Sequence, residues 1–366
     1  MKDDELRNRT GAARARSLVW LDAMQAPEAP AGVSRISAAH DVRAWPGVLL
    51  PGTYNAVMCR DLLGALPADR AAVADWLLGF RRPDGIFRVP GMAAADVYKK
   101  PDRDETWRYI DWHVTNYSLG AVQALVPGHR PILEFSRPYL DPLILKAWLG
   151  DRDLRDPWQE GNNIVNLSSF LLGLRHEEPQ AVERALTILF DWHDYHREPA
   201  TGFLGVGQLS DATCLLHAFA GSMHNFHLWY ATGRPLPGQD RAVDYALSRP
   251  TAIDSACIDV DLVDLLVHAH DRIDDRRDAI QGWLRGKLEA LLAFQNDDGG
   301  FADERTGIRR QDGWVRGYAE PQGISNTFST WFRWIAIAMI ADILWPEHWD
   351  WRFRRMVGVG YRGRPA

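Results

Sequence analysis

The chain has 366 residues, with 42 Lys and Arg against 48 Asp and Glu and a net charge of −6. That balance argues against a protein whose main partner is nucleic acid, which needs clustered positive charge. Apolar residues make up 46% and charged residues 25%, the proportions of a globular chain with a large core rather than a disordered one.

From the N-terminus, residues 1–20 are charged and carry no apolar core segment, so no secretory signal is expected. Cys59, Cys214 and Cys257 are odd in number and far apart, which is no disulfide framework. A cytoplasmic protein is the expectation. Strand signals are scarce. Apolar residues recur at three- and four-residue spacing, as over 71–80 and 181–190, and prolines fall between such stretches. Amphipathic helices with a charged outer face are predicted over about 4–25, 68–81, 138–149, 179–196, 238–248 and 275–296.

Alternating with these are six apolar stretches, each with a short polar lead-in, beginning at Thr53, Val114, Ile164, Met223, Cys257 and Ile324. Their third positions are Asn55, Asn116, Asn166, Asn225, Asp259 and Asn326. The longest apolar run, Trp334 to Leu344, is broken by Asp342 and reaches about half of the ~20 residues a membrane span needs. Six inner and six outer helices in alternation describe an all-α (α/α)6 toroid. The repeats run from residue 4 to 345 with a tail over 346–366, so one domain over 1–366 is expected.

Three outer helices end in related turns, over 80–87, 195–203 and 294–301. The last, with Gln295 ahead of Asp298-Gly299-Gly300-Phe301, resembles the Gln and Asp-Gly-Gly-Phe/Trp element of terpenoid cyclases and protein prenyltransferases. The resemblance implies a toroid of helix pairs. It is silent on reaction, because toroids host glycosidases, polysaccharide lyases, sugar epimerases and cyclases. Asp259-Val260-Asp261-Leu262 is similar to part of the Asp-x-Asp-Asp motif with which class II terpene cyclases protonate an alkene. That likeness implies Asp261 as proton donor, with Leu262 where the third acid would stand.

In a toroid the inner helices run parallel, so their leading ends are expected to converge on one mouth that favours anionic or electron-rich groups. Asp254, Asp261 and His268 recur every seven residues and are expected near one face, with Asp259 pointing elsewhere. Crowded carboxyls have raised pKa values and can act as general acids; the alternative is that Asp254 caps the helix and the others pair with Arg. His113, Asn116 and Tyr117 share a face, and His224 and His227 are one turn apart. These are candidate bases, structural histidines, or, for the His-x-x-His pair, metal ligands together with an Asp. The Asn ring either binds ligand hydroxyls or fixes the helices to one another. Trp107, Trp112, Trp229, Trp314 and Trp331 are placed to stack on a ring or to pack the core. The linkers over 88–105 and 302–322 carry Lys99, Lys100, Arg103, Arg305, Arg309, Arg310 and Arg316, suited to an anionic ligand group or to water.

The leading expectation is an acid/base enzyme acting on a carbohydrate or other polyhydroxylated small molecule, neutral or anionic, by hydrolysis, elimination or epimerisation. Asp261 or Asp254 would be the acid and His113 or His224 the base. Asn55, Asn116, Tyr117, Asn166, Asn225, His227, Asp259, Asn326, Trp331 and Arg316 would bind substrate. Neither metal nor cofactor enters this reading. The alternatives are a class II-like terpenoid cyclase with Asp261 as donor, and a non-catalytic toroid that binds a glycan or a protein.

Overall fold

The computed structural model describes residues 3–27, 29–89, 106–305, 315 and 317–363, with residues 106–108 described by their backbone alone. Its α-helices are α1 (Asp3–Ala23), α2 (Leu49–Leu62), α3 (Arg70–Leu78), α4 (Thr106–Leu125), α5 (Pro142–Gly150), α6 (Pro157–Gly173), α7 (Pro179–His196), α8 (Ala212–Thr232), α9 (Gln239–Ser248), α10 (Ala256–His270), α11 (Arg277–Phe294) and α12 (Thr327–Leu344). Pro142, Pro157 and Pro179 open α5, α6 and α7, where the missing N–H has no intrahelical partner to lose. Asp69, Asp141, Asp156, Asp211, Ser255 and Asn326 each accept an N–H from the first turn of the helix that follows, satisfying donors that a helix start leaves open.

The even-numbered helices pack in sequence, and α12 returns to α2 and closes a ring. The odd-numbered helices lie outside: α1 on α11, α12 and α2; α3 on α4; α7 on α5 and α6; α9 on α10 and α11. This is the (α/α)6 toroid the alternation predicts. Inner helices are walled on both sides and are therefore apolar nearly all round. Helix α12 is apolar and long enough to cross a membrane, yet it is largely buried within the ring.

Two contacts set the ring's geometry. Backbones of α6 and α8 touch, since a Cβ on Gly161 would lie 2.2 Å from the Gly221 carbonyl; only glycine at both positions allows the approach. At the closure, Gln295 Nε2 donates to the carbonyls of Ala13 and Gly299 and to Ser17 Oγ, tying the turn after α11 to α1. Gly299 has φ of 94° and Phe301 folds back into the core. The cyclase-like turn is therefore the clasp of the ring.

The C-terminal segment is more than a tail. It runs back into the ring, where Arg354 is buried and donates from Nη2 to the Asn116 carbonyl at 3.0 Å. Gly360 lies against Ile335, and Arg362 pairs with Asp271 and Asp342. The segment closes the end of the ring where the inner helices finish.

Candidate active site

Side chains from α4, α8, α10 and α12 meet on the ring axis. His113 and Tyr117 lie one turn apart on α4, with ring centroids 4.5 Å apart. Trp331 of α12 stands edge-on to Tyr117 at 5.2 Å, and Tyr54 of α2 lies 5.7 Å from the same ring. From α8, His224 Nε2 comes within 3.3 Å of Asp261 Oδ1 on α10. Asp261 is wholly buried, and neither of its oxygens takes an aligned hydrogen bond from a described residue. Burial pushes its carboxyl above the ordinary range, against the opposing pull of His224. His113 is driven down to about 3, first by burial and then by His224 and Arg354, so it is a neutral imidazole. Beneath this layer Arg354 sits 5.4 Å from the Tyr117 ring centroid, and burial lowers its guanidinium to about 10. A buried acid beside an imidazole, among aromatic rings, can deliver a proton to a weakly basic group.

Asp261, His113, His224, Tyr117 and Trp331 are thus brought together. Other candidates go elsewhere. Asp259 is held in a buried ion cluster by Lys287 and Arg333, so its carboxylate is occupied. Asp254 precedes α10, which starts at Ala256; its helical spacing to Asp261 therefore does not exist. It accepts the Ser255 N–H and faces Arg249 at 3.4 Å, partly exposed. His227 Nε2 bonds Asp264 Oδ2 at 3.1 Å, and His268 Nδ1 lies 2.8 Å from Asp264 Oδ1. His224 and His227 therefore take separate acids and do not share one Asp as a metal set would. The two imidazoles flanking Asp264 overcome the burial penalty and hold its carboxyl below the ordinary range.

Four of the five Asn positions are not leading ends of helices. Asn116, Asn166 and Asn225 lie more than two turns inside α4, α6 and α8, and Asn55 lies within α2. The prolines and caps begin these helices earlier than the polar lead-ins suggest. Asn116 Nδ2 donates to Asn166 Oδ1 at 2.9 Å. Asn225 Nδ2 donates to the carbonyls of Gly161 and Gly221. Asn326 alone sits at a helix start, as the N-cap of α12. Asn116 Oδ1, Asn166 Nδ2, Asn225 Oδ1 and Asn55 Oδ1 remain without a hydrogen-bond partner among the described residues. Trp112 packs on Trp148 and Phe170, and Trp229 on Phe190 and His193, both between the layers. Arg305 donates to the Phe294 carbonyl and lies over its ring. Arg316, Lys99, Lys100, Arg103, Arg309, Arg310, Trp314 and the side chain of Trp107 lie outside the described residues.

Sequence reasoning passed over Asp264, Lys287, Arg333 and Arg354. The signal for Arg333 is a cation in the middle of a largely apolar helix, which demands a buried partner.

No protein-family model matches the chain, and no curated protein matches it. It is similar to solved structures of variants of MstE, a type II terpene cyclase from Scytonema. Two are complexes with the substrate geranylgeranyl dihydroxybenzoate, at 11% identity and TM-score 0.47 over 94% of this chain and 99% of that chain, and at 12% and 0.49 over 93% and 99%. A third, without ligand, is similar at 10% identity and TM-score 0.47 over 93% and 99%.

Proposed function

We propose that the chain is a class II-like cyclase that starts a ring closure by protonating an alkene, with Asp261 as the donor. The observation that carries this reading is the Asp261 carboxyl: fully buried, without an aligned hydrogen bond, and raised in pKa by that burial. Its Oδ–H proton passes to a terminal carbon–carbon double bond. The alkene's electron pair makes the new C–H bond and leaves a tertiary cation, which the next alkene of the same chain captures to close a ring. The last cation loses a proton to a base, so the net reaction is an isomerisation. His224, 3.3 Å away, stabilises the Asp261 carboxylate left behind and relays to it the proton that the last cation gives up. Tyr117 and Trp331 lie edge to face at 5.2 Å, and cation–π attraction to such rings favours the developing charge. Substrate enters from the leading ends of the inner helices, because the C-terminal segment fills the other end.

The test is incubation of the protein with linear prenyl compounds of geranyl, farnesyl and geranylgeranyl length and search for cyclic isomers by mass spectrometry. Wild-type protein should form them, and Asp261→Asn should not. If neither forms any, while a polyhydroxylated compound is converted, the cyclase reading is wrong. Acid/base chemistry on such a compound is the second reading. It is favoured by the free amide ends of Asn116, Asn166 and Asn225, which suit hydroxyl groups. It requires Asn166→Leu to abolish turnover and Trp331→Leu to spare it; the cyclase reading requires the reverse.

A further inference from the structure

A cavity lies away from Asp261, between the C-terminal ends of α4 and α6 and the C-terminal segment, with a volume of about 300 Å³. Its apolar walls include Leu133, Leu172 and Val357, and its polar lining is Gln123, His129, Ser169 and Arg355. No Asp or Glu lines it. Ser169 is 4% exposed, and its hydroxyl has no hydrogen-bond partner among the described residues. His129 Nε2 is buried and equally without one. A buried polar group left in that condition is costly and calls for an explanation. Here two such groups face one space, with the exposed guanidinium of Arg355 at its rim. The negative end of α6 is tempered, since the Gly173 carbonyl lies 3.0 Å from His176 Nδ1.

We propose that this cavity is a binding site for a small amphipathic monocarboxylate, its carboxylate on Ser169, His129 and Arg355 and its apolar body against Leu133, Leu172 and Val357. An ionised carboxylate only accepts hydrogen bonds, and the Ser169 hydroxyl, the Nε2–H tautomer of His129 and the Arg355 guanidinium supply donors. One wall is the segment that carries the neighbouring Arg354 to Asn116 and Tyr117, so an occupied cavity braces the floor of the ring.

The site stands independently of the chemistry at Asp261, and its test uses the full chain. Octanoate is titrated calorimetrically, with 1-octanol as the uncharged match. Octanoate should bind saturably at one site, and octanol at least about tenfold more weakly, the value of one charge-assisted contact. Leu172→Trp, which fills the cavity, should abolish octanoate binding. Arg355→Gln, a change at an exposed side chain, should weaken binding several-fold without touching the core, and Asp261→Asn should leave it unchanged. Equal affinity for octanol, no octanoate binding at millimolar concentration, or unaltered affinity in both Leu172→Trp and Arg355→Gln would each overturn the proposal.

Discussion

Asp259 and Asp261 sit two residues apart on one helix, both completely buried, and they have opposite surroundings. Asp259 turns outward to α11 and α12, where Lys287 and Arg333 close on its two oxygens and the Asp254 N–H adds a further donor. Asp261 turns inward to an imidazole 3.3 Å away and to no aligned donor. The first fixes three helices by charge. The second is left to burial, which raises its pKa. Burial alone therefore does not distinguish the two carboxyls; their partners do.

The contrast can be broken by experiment. Removing the ionisable group at each position should separate activity from stability. Asp261→Asn should lower turnover about 10²- to 10⁴-fold, the usual share of a general acid, with an unfolding midpoint equal to or above wild type. Asp259→Asn should cost about 3–5 kcal/mol, because it leaves two buried cations unbalanced. Denaturant titration measures this, and a loss below about 1 kcal/mol would show that the cluster is wetter than the structure makes it. If instead Asp259→Asn folds normally and abolishes turnover, the division of labour is reversed.

Acid should act on buried imidazoles. Burial holds His113 and His193 down to about 3, below the ordinary 6.5. Between pH 6.5 and 3 the unfolded chain then binds protons that the folded chain refuses, so stability falls as pH falls. The slope is up to about 1.4 kcal/mol per pH unit for each imidazole. His227 is raised by Asp264 despite its burial and opposes the trend, its stabilisation being complete below 6.5 and lost at higher pH. Unfolding curves from pH 7 to 4 should show the net decline, and His193→Phe should flatten it; a level profile would mean that these rings are solvated. The smallest effect is expected at the surface. Arg155→Ala removes an exposed pair with Asp153 and should change stability by less than about 0.5 kcal/mol.

Much of this was legible in the sequence. The helix predicted over 179–196 begins and ends as α7 does, with Pro179 at its start, and the outer helices show a charged face that gives their phase. The inner helices do not. A helix walled on both sides is apolar all round, and nothing in its pattern says where along it a polar residue falls. For that reason Asn166 and Asn225 read as leading ends although they lie deep inside their helices. Asp261 stood out because it is an acid on an apolar helix. Arg354 did not, because its partners Asn116 and Tyr117 lie far back in the chain and no local pattern links them.

The clasp at Gln295 carries a consequence for how the molecule is made. An open array of helix pairs can be finished anywhere along its length, whereas this circle joins its first helix to the turn after its eleventh through two donated bonds of one amide. During synthesis α1 must wait, with its apolar stripe uncovered, until nearly the whole polypeptide has left the ribosome. Contacts so distant in sequence slow folding, and a waiting apolar surface invites aggregation.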